Sequence, residues 1–391
     1  MRTNEITMTY GTFCRCRAGK YYFTGGFGRL VDQMAQKYEK VYLMIPVTHV
    51  NPDEEFSEYC LQSPNVKVQE LPSYRSYIDA VKRRKEIKQK IKEYSKTWHG
   101  LLYIRWMTVF FDYMYKCAKE QGLPVVFHIV EDGELVIRNG RKYTGIKKIV
   151  ALIEARRNSM KMKKLMKTCP TLVNGSDMRR LYSLDNKLVK EIRTSTILKE
   201  EITYSHKKMD KSDVKLLFVG RIKLLKGLDY LLEAMKMLKE KGYNLSLTLV
   251  GEGDYADKLK ETAEKIGLGE KIYFTGRLAL GNEIMAQYKA SDIFVLPSLS
   301  EGTPRALIEA MCNGVPVIGT NAGGIPFTIT DKKNGLLIQM KDSKAIADAI
   351  ETLIEDDKLR DRIVQNGYKF AEANTIESHA EDVYHFIVSN T

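Results

Sequence analysis

The alternation of short β-branched or apolar runs with amphipathic stretches limits this chain more than any other property of its sequence. Runs at Glu5–Thr9, Val41–Val47, Val66–Leu71, Leu101–Ile104, Val125–Val130 and Thr171–Val173 read as strands, with helices between them. Short apolar runs separated by helical periodicity are the pattern of βαβ units on a parallel sheet. The rhythm breaks at 199–213, KEEITYSHKKMDKSD, whose polar and charged composition reads as a linker. It then restarts: Val214–Val219, Leu245–Val250, Ile272–Phe274, Ile293–Leu296, Val315–Ile318 and Gly335–Ile338 alternate with helices over 226–240, 254–266, 282–290, 304–312 and from 343 onward. The expected fold is α/β, with two doubly wound, Rossmann-like domains facing each other across a cleft. The expected parts are an N-terminal domain over 1–198, the linker, a second domain over 214–370 and a helical segment over 371–391. A length of 391 residues agrees, because one hydrophobic core rarely serves more than about 300 residues.

With 44% hydrophobic and 28% charged residues the composition is that of a soluble globular protein. The apolar runs fall far short of the roughly 18 residues that read as a membrane span. Met1-Arg-Thr-Asn-Glu-Ile-Thr-Met has no apolar core of a signal peptide, so a cytoplasmic location is expected. The six cysteines are scattered, with one C-x-C (Cys14, Cys16) and no C-x-x-C. That spacing suits reduced thiols better than a disulfide framework or a zinc site.

The net charge of +13 is uneven: residues 138–167 hold eleven Lys/Arg against the single acid Glu154. A second basic run, 82–92, contains Lys82, Arg83, Arg84, Lys85, Lys88, Lys90 and Lys92. One reading is a solvated helix face. Another is an anionic membrane surface, since Ile146, Ile149, Val150 and Ile153 keep helical spacing among the lysines. Nucleic acid is not expected as a partner, because no recognition motif or aromatic platform accompanies the charge.

Three motifs lie where strands end. In KLLFVGRIKLLKG, Arg221 and Lys226 follow a strand ending at Gly220, and Gly227 opens a helix, an arrangement that suits phosphate as well as two solvated cations. It lacks the Walker A spacing. In LTLVGEGDYADKL, Gly251-x-Gly253-x-x-Ala256 is a variant of the dinucleotide fingerprint. Arg277 at the end of the next strand would suit a 2′-phosphate, so an NADP-dependent oxidoreductase is an alternative. In PSLSEGTPRALIEAMCNGVPVIGTNAGGIP, Glu301 lies in a loop and Glu309 in the helix that Pro304 begins. The amides of Arg305 to Leu307 suit a diphosphate, Glu309 a ribose diol, and Glu301 a sugar beyond the phosphates. Two carboxylates also suit a glycosidase, and Glu309 alone could be a salt-bridged helix residue; the phosphate-binding residues weigh against both.

The order VGR…KG (219–227), VGEG (250–253), FTG (274–276), ASDIFVLPS (290–298), EGTPRALIEAM (301–311), GVPVIGT (314–320), AGGIP (322–326) and NGLLI (334–338) resembles retaining glycosyltransferases of family 4, which have the GT-B fold. The resemblance implies that Arg221 and Lys226 bind the donor diphosphate, that Glu309 binds the ribose, and that Glu301 contacts the transferred sugar as the first glutamate of E-x7-E. Gly227, Gly302, Thr303, Arg305, Ala306 and Leu307 complete the expected donor site. The donor is then a nucleotide sugar, with UDP ahead of GDP and ADP. The family retains anomeric configuration by a same-face displacement, with no metal, no other cofactor and no dedicated nucleophile. No D-x-D occurs in this chain, which leaves the cations to stabilise the leaving diphosphate.

In the N-terminal half, Gly25-Gly26 resembles the family's glycine-rich loop, set farther from the first strand than usual. LLYIRWMTVFFDYMYKCAKEQGLPVVFHIVEDGE resembles members that build capsule or lipopolysaccharide. His128, Glu131 and Asp132 are candidates at the acceptor side, Glu131 and Asp132 as catalytic groups, while His128 in an apolar strand also reads as a satisfied core histidine. The implied acceptor is a glycan or lipid-linked glycan, with the enzyme peripheral on the inner face of the membrane. The final helix would cross back to the first domain. A sugar-nucleotide epimerase would need acid/base groups that no residue supplies here, and a catalytically silent glycan-binding protein would not need Lys226, Glu301 and Glu309 together.

Overall fold

The structure, a computed structural model, describes residues 4–54, 58–106, 108–139, 143–175, 179, 188–204, 208–278, 281–302 and 304–391. The chain divides into two compact units, Met1–Thr194 with Ile376–Thr391, and Ser195–Thr375.

The first unit is built on β1 (Glu5–Tyr10), β4 (Lys40–His49), β6 (Val66–Pro72), β7 (Leu101–Trp106), β8 (Val125–Ile129), β9 (Thr171–Asn174) and β10 (Val189–Ile192), joined in parallel in the order β10-β9-β8-β7-β1-β4, with β6 also on β4. All five residues of β8 are buried, as expected where helices cover both faces of a parallel sheet. An antiparallel hairpin, β2 (Cys14–Arg17) and β3 (Lys20–Phe23), extends this sheet, and β5 (Tyr59–Cys60) pairs with β3. β2 continues along the far end of β4, with Cys14 opposite Val47 and Cys16 opposite His49. The sequence reading contained no hairpin, because four-residue strands carry too little periodicity to register. This insertion lies between β1 and Gly25-Gly26 and accounts for their separation.

The helix Ile376–Asn390 belongs to this unit, where it buries Ile376, Val383, Phe386 and Ile387. Its Glu381 pairs with Lys37, its Asp382 accepts from Lys190 at 2.8 Å, and Tyr384 meets Tyr38 edge-on with ring centroids 5.7 Å apart.

The second unit is a parallel sheet of β11 (Val214–Val219), β12 (Leu245–Val250), β13 (Ile272–Gly276), β14 (Ile293–Leu296), β15 (Val317–Thr320) and β16 (Leu336–Ile338), in the order β13-β12-β11-β14-β15-β16. The order in which strands are laid down reverses between β11 and β14, the position at which doubly wound sheets bind ligands. The helix Leu228–Glu240 shows why the pattern was readable: Leu228, Leu231, Leu232, Met235 and Leu238 fall on one stripe and all are buried. β15 begins two residues later than the expected Val315, since Pro316 has no N–H for the ladder and only its carbonyl pairs, accepting from Phe294 at 3.0 Å.

The stretch 199–213 needs correction. Its residues 205–207 lie outside the described ones, but Ile202 and Met209 are buried in the core of the second unit, and the Thr203 amide donates to the Cys312 carbonyl at 3.0 Å. Two apolar side chains are enough to anchor a stretch that is polar on average, so these described residues are part of the unit and not a free spacer.

Candidate active site

β11 runs into Gly220 and Arg221, then into a tight turn over Leu224–Lys226 that Gly227 closes with φ of 64°. A Cβ on Gly227 would sit 2.1 Å from the Pro297 carbonyl oxygen, so only glycine lets this loop touch the loop after β14. The contact is completed by the Leu299 amide, which donates to the Leu225 carbonyl at 2.8 Å. As a result the Lys226 ammonium donates to the Glu301 carboxylate, both side chains being mostly sheltered at 19% and 14% exposure. On its other side Glu301 rests on the Gly-Gly turn: the Gly324 amide donates to the Glu301 carbonyl at 3.2 Å, and a Cβ on Gly323 would lie 1.9 Å from that oxygen.

The helix Arg305–Cys312 starts at the same rim. Glu309, one turn in, is buried, and its carboxylate accepts from the Thr196 hydroxyl at 3.1 Å and the Tyr288 hydroxyl at 2.9 Å. Burial first, and the neighbouring carboxylate second, push the Tyr288 phenol well above its ordinary range, which keeps it a donor. Arg305 is exposed and Ala306 half-buried, and as the first residues of the helix their amides have no partner within it. Leu307 departs from expectation: its amide is taken by the Pro304 carbonyl at 3.1 Å, a tightened first turn that withdraws it from any ligand. Arg221 and Gly302 are exposed at the rim, and Thr303 lies outside the described residues.

The Gly251-x-Gly253 pair has a packing explanation. A Cβ at either position would lie 2.0 or 1.9 Å from the carbonyl oxygens of Gly220 and Ile222. These glycines let two strand-end loops touch, with the Ile222 amide donating to the Glu252 carbonyl at 2.9 Å.

Thr196 and Tyr288 were missed in the sequence. Each is a lone polar residue outside any motif, brought to Glu309 by the fold from 113 and 21 positions away. Ser298 is a further case, with its hydroxyl buried and without a hydrogen-bond partner among the described residues.

In the first unit, Gly25 has φ of 80° and Gly26 precedes the helix Phe27–Ala35. Beside them, at the carboxyl ends of β1 and β7, the Arg105 guanidinium lies 4.6 Å from the Tyr10 ring centroid and 5.3 Å from that of Phe27. No motif in the sequence singles out Arg105. His128 is a correction to the acceptor-side set: it is fully buried, Tyr103 donates to its Nδ1, and its Nε2 donates to Asn174 Oδ1 at 2.9 Å. Burial, then the charge of Arg105, hold it well below the usual histidine range, so it is a neutral core residue. Glu131 is exposed, while Asp132 is buried and its carbonyl accepts the Val136 amide at 3.0 Å at the start of the helix Gly133–Asn139. Among the described residues no helix is long and apolar enough to cross a membrane.

Residues 200–370 match the family described as Glycosyl transferases group 1. The capsular polysaccharide biosynthesis glycosyltransferase CapM of Staphylococcus aureus is 33% identical over 160 residues, 40% of each chain. The chain spans about two fifths of the length of the curated relatives it matches. Among solved structures, sucrose-phosphate synthase from Thermosynechococcus elongatus aligns over 99% of this chain and 100% of its own at a TM-score of 0.70 and 17% identity. Anabaena HepE in complex with UDP-glucose aligns over 98% and 99% at 0.64 and 17%. The chain therefore has the α/β fold of the GT-B glycosyltransferases, with two sheets that are parallel apart from the β2–β3–β5 pairings of the first.

Proposed function

We propose that this protein is a glycosyltransferase that moves a sugar from a nucleotide-sugar donor to a glycan or lipid-linked glycan, with retention of anomeric configuration, in the biosynthesis of a surface polysaccharide. The reading rests above all on the meeting of Lys226, Glu301 and the start of the Arg305–Cys312 helix at the switch point of the second sheet. Lys226, Arg221 and the amides of Arg305 and Ala306 would hold the diphosphate, and the charge that develops on it as the bond to the sugar breaks is stabilised by groups already in place. Glu309, fixed by Thr196 and Tyr288, would accept from the ribose diol, and Glu301 from hydroxyls of the sugar. The acceptor hydroxyl attacks on the face the diphosphate leaves and passes its proton to the departing phosphate oxygen. No protein nucleophile takes part, and no metal or other cofactor enters this scheme.

Relatives such as CapM support the polysaccharide role, and HepE was solved with UDP-glucose, which makes UDP the first nucleotide to try. The acceptor side is assigned to the first unit, at Gly25, Gly26, Glu131 and Asp132. A membrane contact through 82–92 and 138–167 fits the helix Gly145–Leu165, whose Ile146, Ile149, Val150 and Ile153 are exposed among basic residues; Arg141 and Lys142 lie outside the described residues. The enzyme would work on the cytoplasmic face of that membrane. No observation favours an oxidoreductase, because the glycine pair that suggested one is explained by packing.

Calorimetry and thermal shift against UDP, GDP, ADP and NADP(H), with EDTA present, test the proposal on the wild type and on Lys226→Ala and Glu309→Ala. Binding of one nucleoside diphosphate that both variants lose supports it. A response to NADP(H) with none to any diphosphate overturns it.

A further inference from the structure

The hairpin that separates β1 from the glycine loop places three metal-binding side chains together in the first unit, none of them given a role above. Cys16 on β2 stands opposite His49 on β4, and Glu70 comes from β6, on the opposite side of β4. The Cys16 sulfur, a His49 ring nitrogen and a Glu70 carboxylate oxygen all lie within 4.8 Å of one another. His49 Nε2 is 2.8 Å from Glu70 Oε2, and the Tyr21 hydroxyl on β3 donates to Glu70 Oε1 at 2.8 Å.

We propose that Cys16, His49 and Glu70 bind a zinc ion that clasps β2, β4 and β6, with Tyr21 orienting the carboxylate from outside the coordination shell.

The donor set of one thiolate, one imidazole and one carboxylate matches zinc chemistry, in which metal–ligand distances of about 2.0–2.3 Å put the ligand atoms roughly 3.3–3.6 Å apart. The observed cluster reaches that geometry by closing about 1 Å at the sulfur and opening the His49–Glu70 contact slightly. His49 can adjust, since its side chain is 66% exposed. Charge also balances, because a thiolate and a carboxylate offset one divalent cation. The Cys16 thiol must lose its proton to bind a cation. That proton goes to solvent, while His49 offers the metal its Nε2 lone pair with the ring hydrogen on Nδ1. Three protein ligands leave a fourth position for water. Tyr21 plays the part that outer hydrogen bonds commonly play at zinc sites, where their loss costs roughly 10–100-fold in affinity.

The experiment uses the full-length protein, stripped with chelator under reducing conditions and free of nucleotide. Zinc is titrated by calorimetry, and cobalt(II) by absorption, where a thiolate ligand gives a charge-transfer band in the near ultraviolet. The expected result is one equivalent bound, the cobalt band present, and a zinc-dependent rise in Tm. Cys16→Ser should abolish the band, and Cys16→Ser and His49→Ala should each weaken zinc by more than about 100-fold, with Tyr21→Phe losing about tenfold. His49→Ala removes an exposed side chain, so a well-folded variant is expected. Failure of the wild type to bind stoichiometrically, a band that survives Cys16→Ser, or wild-type affinity in His49→Ala would each overturn the site.

Discussion

Lys226 and Glu301, 75 residues apart in sequence, form an ion pair at the switch point of the second sheet. The cation expected to hold the donor diphosphate is thus already neutralised by the carboxylate expected to meet the sugar. An incoming diphosphate must compete with Glu301 for Lys226. Glu301→Gln should therefore bind the nucleoside diphosphate more tightly, by about three- to tenfold, while sugar transfer falls by at least about 100-fold. Calorimetry and turnover on the same preparation check this, and weaker binding by Glu301→Gln would rule out the competition.

Tyr288 and Thr196 hold the buried Glu309 carboxylate. Tyr288→Phe removes one of two donors, which costs about 1–3 kcal/mol in stability. If Glu309 holds the ribose, affinity for the nucleoside diphosphate should drop several-fold while affinity for free pyrophosphate stays near wild type. An equal loss for both ligands would mean that Tyr288 serves only the packing.

Gly227→Ala should place a methyl group against the Pro297 carbonyl and force a left-handed backbone on alanine, a conformation that alone costs about 1–2 kcal/mol. The expected fall in Tm is at least about 4 °C, with loss of nucleotide binding as the two loops separate. Gly302→Ala is the control: among the described residues, its chain neighbours aside, no atom lies within 4 Å of its added Cβ, so its Tm should match the wild type.

His128 and His379 are buried in the first unit, their ring centroids 5.7 Å apart. Burial first, then the charge of Arg105, lowers both, His379 to about 3. Below about pH 6.5, the ordinary histidine value, the unfolded chain binds protons that these folded histidines refuse. Stability is therefore full above that pH and is lost as pH falls below it, by up to about 1.4 kcal/mol per pH unit for each histidine. Urea unfolding at pH 7.5 and 5.5 should show the loss, and His379→Gln should reduce it. An unchanged pH slope in that variant would exclude His379 as a source.

Membrane contact through the helix Gly145–Leu165 predicts binding to vesicles containing anionic lipid at low salt that weakens as salt rises. Reversing Lys161, Lys163 and Lys164 to glutamate should reduce it by about tenfold or more. No affinity at low salt, or no effect of the reversal, would remove this contact from the proposal.

How much was legible follows from range. Strands β11, β12 and β14 were readable to the residue because β14 is an unbroken apolar run, β11 is broken only by Lys215 and β12 alternates apolar residues with Ser246 and Thr248; the helix Asn282–Ala290 was readable from Ile284 and Tyr288, which lie four positions apart. Lys226, Glu301 and Glu309 sit in motifs whose spacing carries meaning by itself. The hairpin of β2 and β3, the partners Thr196 and Tyr288, and the burial of His128 depend on contacts that no window of local sequence contains. Leu307 failed for a smaller reason, since one extra hydrogen bond in a first helical turn leaves no trace in residue type. The stretch 199–213 failed because average polarity hid Ile202 and Met209.

The return of the Ile376–Asn390 helix to the first unit makes the second unit an insertion, tethered at both of its ends. A single proteolytic cut near residue 195 or 375 would leave the two units joined through the other tether. Their separation would require both cuts, and a fragment ending at Thr375 would keep the whole second unit while stripping the first of the helix that covers Phe27–Ala35.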